Sequence, residues 1–208
     1  RNNIVPNNLK PVHQLVANGT EANIDVAITP KGTGAIVAQI PDGTVAGGNK
    51  RGNYSVDLQM IRALATQVAS GQFSTIGGGY HNTASGGYSN VGGGAKNTAS
   101  SSSDCVGGGI LNTASGGSSI VGGGLQNTAL ANATFVGGGS QNTASSSYAT
   151  VSGGWQNTAD DSVATVGGGY RNYASGFFAT VAGGDKDSAI GNWSTVGGGW
   201  KNTASGHA

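Results

Sequence analysis

The side chains best suited to chemistry in this sequence are aromatic rings that stand next to cations. Tyr170 precedes Arg171, and Trp200 precedes Lys201. Exposed Tyr and Trp rings combine an apolar body with a polar tip, which suits them to stacking on sugar rings and bonding to sugar hydroxyls. The pattern is typical first of rings that pack across a subunit interface, with glycan binding at a receptor as the alternative. The candidate receptor contacts are Tyr148, Trp155, Tyr170, Arg171, Phe178, Trp193, Trp200 and Lys201.

The other reactive residue types form no catalytic or metal-binding pattern. His13, His81 and His207 fall in unrelated contexts, and no acidic residue recurs with the spacing of the repeats described below. The Gly triplets lack the Gly-Lys-Ser/Thr sequence of a phosphate-binding loop, and residues 183–187 differ from the calcium-binding nonapeptide in both period and pattern. We therefore expect no enzyme activity, no metal and no cofactor.

These residues are carried on a strict fifteen-residue repeat of the form x-x-S-T-V-G-G-G-x-x-N-T-A-S-G. A β-branched residue, a Gly pair, an Asn and an Ala each return in the same phase, which is typical of a solenoid with one repeat per coil. The two apolar rows are expected to form the solenoid core. They comprise Ile76, Val91, Val106, Val121, Val136, Val151, Val166, Val181 and Val196, together with Ala84, Ala99, Ala114, Ala129, Ala144, Ala159, Ala174, Ala189 and Ala204.

Each repeat contains two short β-prone segments separated by glycine turns, which predicts an all-β, parallel β-solenoid of about nine coils. One Val and one Ala per coil make a thin core. Burying a Val contributes about 1.5–3 kcal/mol, whereas ordering the backbone costs about 1–2 kcal/mol per residue. Because the three Gly of each coil also allow neighbouring backbones to approach closely, we expect self-association into a homotrimer.

Composition limits the remaining classes of partner. Of 208 residues, 40 are Gly and only 9% are charged, and the net charge is +1. Nothing in this balance points to nucleic acid, and no apolar run is long enough for membrane insertion. The single Cys105 cannot form an intrachain disulfide, and we expect it to serve as a small apolar residue.

The repeats, from residue 74 to the end of the sequence, resemble the head repeats of YadA-like trimeric autotransporter adhesins. The resemblance lies in the S-x-V-x-G-G half followed by N-T-A-S-G. It implies a left-handed parallel β-roll assembled as a trimer. One difference is that the Gly triplet here replaces an alternating apolar half-strand. Residues 22–34 resemble a segment of phage tail-fibre and related virion proteins, and residues 51–68 resemble the junction of such segments to repeats.

These observations divide the chain into a β-rich attachment module over residues 1–44, an irregular capping coil over residues 45–71 and the solenoid over residues 72–208. Residues 60–65 allow a helical turn within the cap. The resemblances imply a structural and adhesive fibre on the surface of a phage or virus particle, joined to other tail or capsid proteins through the N-terminal module. The alternatives are a bacterial trimeric surface adhesin head at the cell surface and an ice-binding β-solenoid, the latter because of a regular Thr row.

Overall fold

The computed structural model describes residues 30–206 and, nearer the N-terminus, the backbone of two short strands. Ile4–Val5 pairs antiparallel with Val12–His13. The chain divides into two units, Arg1–Lys31 and Gly32–Ala208. Residues 23–28 alternate between polar and apolar side chains, which predicts a half-buried strand, but they lie outside the described residues.

The second unit is a parallel β-solenoid of about ten turns, and residues 30–206 contain no helix. Each regular coil contributes one two-residue strand to each of two sheets, and successive coils pair in register fifteen residues apart. The eleven-stranded valine sheet contains Ile36–Val37, Val56–Asp57, Thr75–Ile76, Asn90–Val91, Cys105–Val106, Ile120–Val121, Phe135–Val136, Thr150–Val151, Thr165–Val166, Thr180–Val181 and Thr195–Val196. The nine-stranded alanine sheet contains Thr83–Ala84, Thr98–Ala99, Thr113–Ala114, Thr128–Ala129, Thr143–Ala144, Thr158–Ala159, Tyr173–Ala174, Ser188–Ala189 and Thr203–Ala204.

A third parallel row, which the sequence did not suggest, follows the Gly triplet. Single residues there form bridges from coil to coil, as between Trp155 and Tyr170. The row lies where the chain leaves the valine sheet for the alanine sheet. It therefore fixes the backbone at the corner that carries several of the candidate receptor contacts.

The space between the two sheets is filled by small side chains. The β-branched row and the alanine row both point inward and are almost completely buried, apart from Ala204, which is only partly buried. Side chains alternate across a strand, so the preceding residue of each strand faces outward. Because these apolar side chains are small, the interior of each coil also accommodates a row of buried polar side chains.

That polar row is a ladder of buried asparagines. Asn112 illustrates the geometry: its Oδ1 accepts the backbone N–H of Asn127 at 2.9 Å, and its Nδ2 donates to the carbonyls of Gly108 and Gly124 at 2.9 Å each. A buried amide with all of its partners joins two coils without the penalty of an unsatisfied polar group. The ladder comprises Asn82, Asn97, Asn112, Asn127, Asn142, Asn157 and Asn172.

The third Gly of each triplet is required by this ladder. At Gly109 the backbone has φ +84°, and an added Cβ would collide with the carbonyl oxygen of Gly124 and lie 2.7 Å from Asn112 Nδ2. The first Gly is less constrained, since Ser152 and Ala182 occupy its position in two coils. The repeat therefore contains glycines with different roles.

A buried polar cap closes the N-terminal end of the solenoid. Gln59 stands in for one more asparagine, because its Nε2 donates to the Asn82 carbonyl at 2.8 Å and its Oε1 accepts the Asn82 N–H at 2.9 Å. Asp57 lies in register with Ile76 and is held by Arg51 at 2.8 Å and Arg62 at 3.2 Å. Burial lowers the pKa of Arg51. The cap replaces the apolar stacking of the repeats with an ion-pair network.

Two details of the expected cap differ from the structure. Residues 60–65 form no helical turn, since Arg62 points inward to the Asp57 carboxylate and the Gln67 side chain accepts the backbone N–H groups of Ala63 and Leu64. Residues 44–48 resemble residues 180–184 and so predict an entry coil at Val45, but Val45 is half exposed, and Ile36–Val37 pairs with Val56–Asp57 instead.

One coil breaks the asparagine ladder. Asp187 Oδ1 still accepts the N–H of Asn202 at 2.7 Å, but its buried Oδ2 has no hydrogen-bond partner among the described residues. In the coils from Asn82 to Asn172 this position holds an amide nitrogen that donates to two Gly carbonyls. Replacing Asp187→Asn should therefore raise the free energy of unfolding by about 1–3 kcal/mol, measured by urea denaturation.

The matched control is Asn142→Asp, which introduces the same defect into an intact coil. It should lower the free energy of unfolding by a similar amount. If Asp187→Asn leaves stability unchanged while Asn142→Asp lowers it, the local structure around Asp187 compensates for the missing donor.

Candidate functional site

Every regular coil turns twice through non-glycine residues in the left-handed region, with φ between 51° and 63°. One turn follows the bridge row and contains, among others, Gln156 and Arg171; we call this corner, with the bridge residues before it, the basic edge. The other turn returns the chain to the valine sheet and contains, among others, Tyr148 and Trp193; we call it the return edge. Because the chain crosses between sheets in opposite directions at the two corners, they lie at opposite edges of the coil.

The structure divides the candidate receptor contacts between these edges. The basic edge carries Trp155, Tyr170, Arg171, Trp200 and Lys201, and the return edge carries Tyr148, Phe178 and Trp193. All of them are exposed or half exposed. They therefore cannot form one continuous binding site within a single chain.

On the basic edge the aromatic rings already contact neighbouring rings and cations. The ring centroids of Trp155 and Tyr170 are 4.7 Å apart. Arg171 Cζ lies 5.0 Å and Lys186 Nζ 5.3 Å from the Tyr170 ring centroid. At these distances the cations are attracted to the negative face of the ring. Lys186 is a further residue of this cluster that was not among the candidate receptor contacts, although it recurs fifteen residues after Arg171.

A row of polar side chains links the coils of the basic edge. Gln141 Oε1 accepts from Gln156 Nε2 at 2.8 Å and from Trp155 Nε1 at 3.1 Å. Arg171 Nε donates to Gln156 Oε1 at 2.6 Å. These bonds restrict the rotamers of Trp155 and Arg171, so the indole and the guanidinium are held in fixed positions at the surface.

Charge is segregated to the same edge. Within residues 74–206 every Lys and Arg occupies one column of the repeat, namely Lys96, Arg171, Lys186 and Lys201. Acidic side chains lie in other columns, and only Asp185 approaches one of these cations, at 3.5 Å from Lys186 Nζ. The last three coils therefore present an almost uninterrupted row of cations.

In the C-terminal coils the return edge carries a cluster of aromatic rings. Phe177 contacts Phe178, with ring centroids 4.4 Å apart, and Trp193, with centroids 5.9 Å apart. Phe177 was missed from the sequence, yet between residues 87 and 192 its column otherwise holds Gly, Ser and Asn. Tyr148, at 60% exposed, has no stacking partner among the described residues, since Ala133 and Val163 occupy its column in the flanking coils.

The outer surface of the valine sheet carries no charge. We call this surface the glycine face; it consists of the outward strand residue and the Gly triplet of each coil from residue 75 to residue 199. Its only large apolar side chains are Ile120 and Phe135, about 40% exposed, in register with the partly buried Cys105. Burial raises the pKa of the Cys105 thiol, which disfavours the reactive thiolate.

The outer surface of the alanine sheet carries the Thr row. It is continuous for six coils, from Thr83 to Thr158, and is interrupted by Tyr173 and Ser188. Tyr173 Oη lies 3.0 Å from Asp160 Oδ2, and burial together with this hydrogen bond raises the pKa of Tyr173. The row is thus less regular in the C-terminal coils.

Comparison with known proteins adds no family. No protein-family model matches the chain, and no curated protein matches it. Across the described residues, no three His, Cys, Asp or Glu side chains are grouped as metal ligands would be. The same part of the chain has no helix long and apolar enough to cross a bilayer.

The left-handed corners are costly for residues other than Gly, at about 1–2 kcal/mol each. Val163 is the least suited, because it is β-branched and has φ 61°. Val163→Gly should therefore raise the free energy of unfolding by about 0.5–1 kcal/mol, after allowing for the greater freedom of Gly in the unfolded chain. Urea denaturation measures the change.

Thr165→Gly serves as control, since Thr165 lies two residues further on in an ordinary strand. The same substitution should lower stability there. Equal destabilisation by the two variants would show that the Val163 side chain contributes more through packing than its backbone conformation costs.

Proposed function

We propose that the chain is the shaft of a homotrimeric fibre on a phage or virus particle, with the repeats wound as left-handed β-rolls. The shaft holds a host-binding surface away from the particle. Its N-terminal module, residues 1–44, joins the fibre to other tail or capsid proteins, and its edges contact glycans at the host surface. The observation that carries the proposal is the glycine face.

The glycine face suits close packing against identical chains. It carries no charge over nine coils, so bringing copies together requires no desolvation of ionic groups. Most of its positions lack a side chain, and Ile120 and Phe135 supply apolar contacts at its centre. Exposed apolar patches on flat surfaces of this kind mark protein interaction sites.

The size of the face is also adequate. Nine coils at ~4.8 Å spacing are ~43 Å long, and the five residues from the outward strand residue to the third Gly span ~16 Å at ~3.3 Å each. The product is about 700 Å² per chain, close to the roughly 800 Å² per partner of stable interfaces. Burial of this surface would supplement a core that contains only one Val and one Ala per coil.

The position on a virion rests on the resemblance of residues 22–34 and 51–68 to fibre proteins. The rod-like repeat architecture is consistent with this role, because parallel ladders extend without interruption from Ile36–Val37 to Thr203–Ala204. Three copies per fibre and many fibres per particle raise the avidity of weak individual contacts.

The oligomer can be tested by placing charge on the glycine face. Phe135→Asp or Ile120→Asp should convert a species of three times the 20.3 kDa chain mass into a monomer, because a carboxylate would be buried against an uncharged surface. Sedimentation velocity measures the mass, and circular dichroism checks that the coils remain folded.

Leu130→Asp is the matched control. Leu130 is 46% exposed, like Phe135 at 40%, but it lies on the outer surface of the alanine sheet, in the same part of the stack. The trimer should survive this change. A trimer disrupted by Leu130→Asp and not by Phe135→Asp would place the interface on the opposite sheet.

The location can be tested with antibodies raised against residues 74–206. We expect gold-labelled antibody to decorate fibres on virus particles in electron micrographs. Labelling of a bacterial envelope in the absence of particles would instead favour the adhesin alternative.

A further inference from the structure

The basic edge of the last coils combines cations and aromatic rings in a repeating arrangement. Arg171, Lys186 and Lys201 follow one another at one-coil intervals. Trp155, Tyr170 and Trp200 lie on the same edge, one residue before this column. At ~4.8 Å per coil the strip from residue 155 to residue 201 is about 14 Å long, enough for a few sugar rings of an extended chain.

We propose that this strip binds an acidic polysaccharide, with its acid groups on the cations and its sugar rings on the indoles. The inference rests on the proposed function, since it names the chemical class of the host glycan that the fibre contacts. It assigns the contact to the basic edge alone and not to the return edge, which carries no cation in its column.

The two tryptophans offer the most accessible ring surface. Trp200 is 64% exposed and Trp155 is 49% exposed. One side of Trp155 faces Tyr170, but its other in-register neighbour is Ser140, whose side chain is too small to cover the indole. Its Nε1 is bound to Gln141, which fixes the plane of the ring for stacking. An apolar sugar face can therefore lie against an indole that is already oriented.

The cations are held beside these rings and remain able to bind anions. Lys201 Nζ lies 4.5 Å from the Trp200 ring centroid, and Arg171 uses Nε for Gln156. The terminal guanidinium nitrogens of Arg171 are left for a carboxylate or sulfate, which they can bind through paired hydrogen bonds. Lys186 is partly neutralised by Asp185, so Arg171 and Lys201 should contribute most.

An acidic glycan fits this strip better than nucleic acid. Proteins that bind duplex DNA neutralise about 6–10 phosphates, whereas the strip offers three cations on a chain of net charge +1. Sparse cations interleaved with indoles match a polymer whose charges are separated by apolar sugar faces. Every Lys and Arg of residues 74–206 lies in this column. Binding of a neutral glycan would make no use of these charges.

Binding of the full chain should be measured by calorimetry with polygalacturonate, dextran sulfate, neutral dextran and oligo-dT. We expect binding to one or both acidic polymers, weakened at high salt. Whichever polymer binds shows whether carboxylate or sulfate is preferred. Arg171→Gln and Lys201→Gln should each weaken binding about three- to tenfold. Gln is a conservative choice because it occupies the same corner in Gln126, Gln141 and Gln156.

Lys96→Gln is the matched control. Lys96 occupies the same column five coils away from Arg171, remote from any tryptophan, so its loss should leave binding unchanged. Equal binding of neutral dextran, tighter binding of oligo-dT, or an equal effect of Lys96→Gln would each overturn the proposal. The mass of every sample is measured in parallel. If the protein is a trimer but binds no acidic polymer, the polysaccharide proposal is wrong and the trimer proposal stands. If the protein is a monomer and binds an acidic polymer, the trimer proposal is wrong and the polysaccharide proposal stands.

Discussion

The solenoid depends on the buried asparagine ladder. Each amide, as at Asn112, bonds to its own coil and to the next, so the coils are tied together in the interior as well as through the strands. A core of Val and Ala alone could slide or twist with little penalty. Buried amides allow no such freedom, because a shift between coils would leave donors and acceptors unpaired away from water.

Much of the fold follows from the period. A repeat of fifteen without insertions permits only one register, so the parallel stacking and the inward position of Val106 and Ala114 could be predicted. The role of the asparagines could not, because a polar residue in a strand does not reveal which side it faces. The cap could not be predicted either. Asp57 stands in the row of β-branched core residues and Gln59 in the row of asparagines, but neither lies fifteen residues before the next member of its row, Ile76 or Asn82.

The candidate site was predicted only as a set of residue types. The aromatic columns vary along the chain, and this variation predicted positions that face outward or line a subunit interface; their aromatic members are exposed or half exposed in the single chain. It did not separate Trp155 from Trp193, which lie on opposite edges because the two left-handed corners are at positions 10 and 2 of the repeat. Left-handed backbone at non-glycine residues leaves little sequence signal. The corners tolerate such varied side chains because the ladders on either side fix the backbone.

In-register stacking also bears on how such a rod changes in evolution. Regular coils present equivalent backbone surfaces to their neighbours, whereas the cap around Arg51 and Arg62 has its own set of contacts. Duplication or deletion of forty-five nucleotides would therefore add or remove one whole coil without creating a new junction. The length of the solenoid would change in increments of ~4.8 Å.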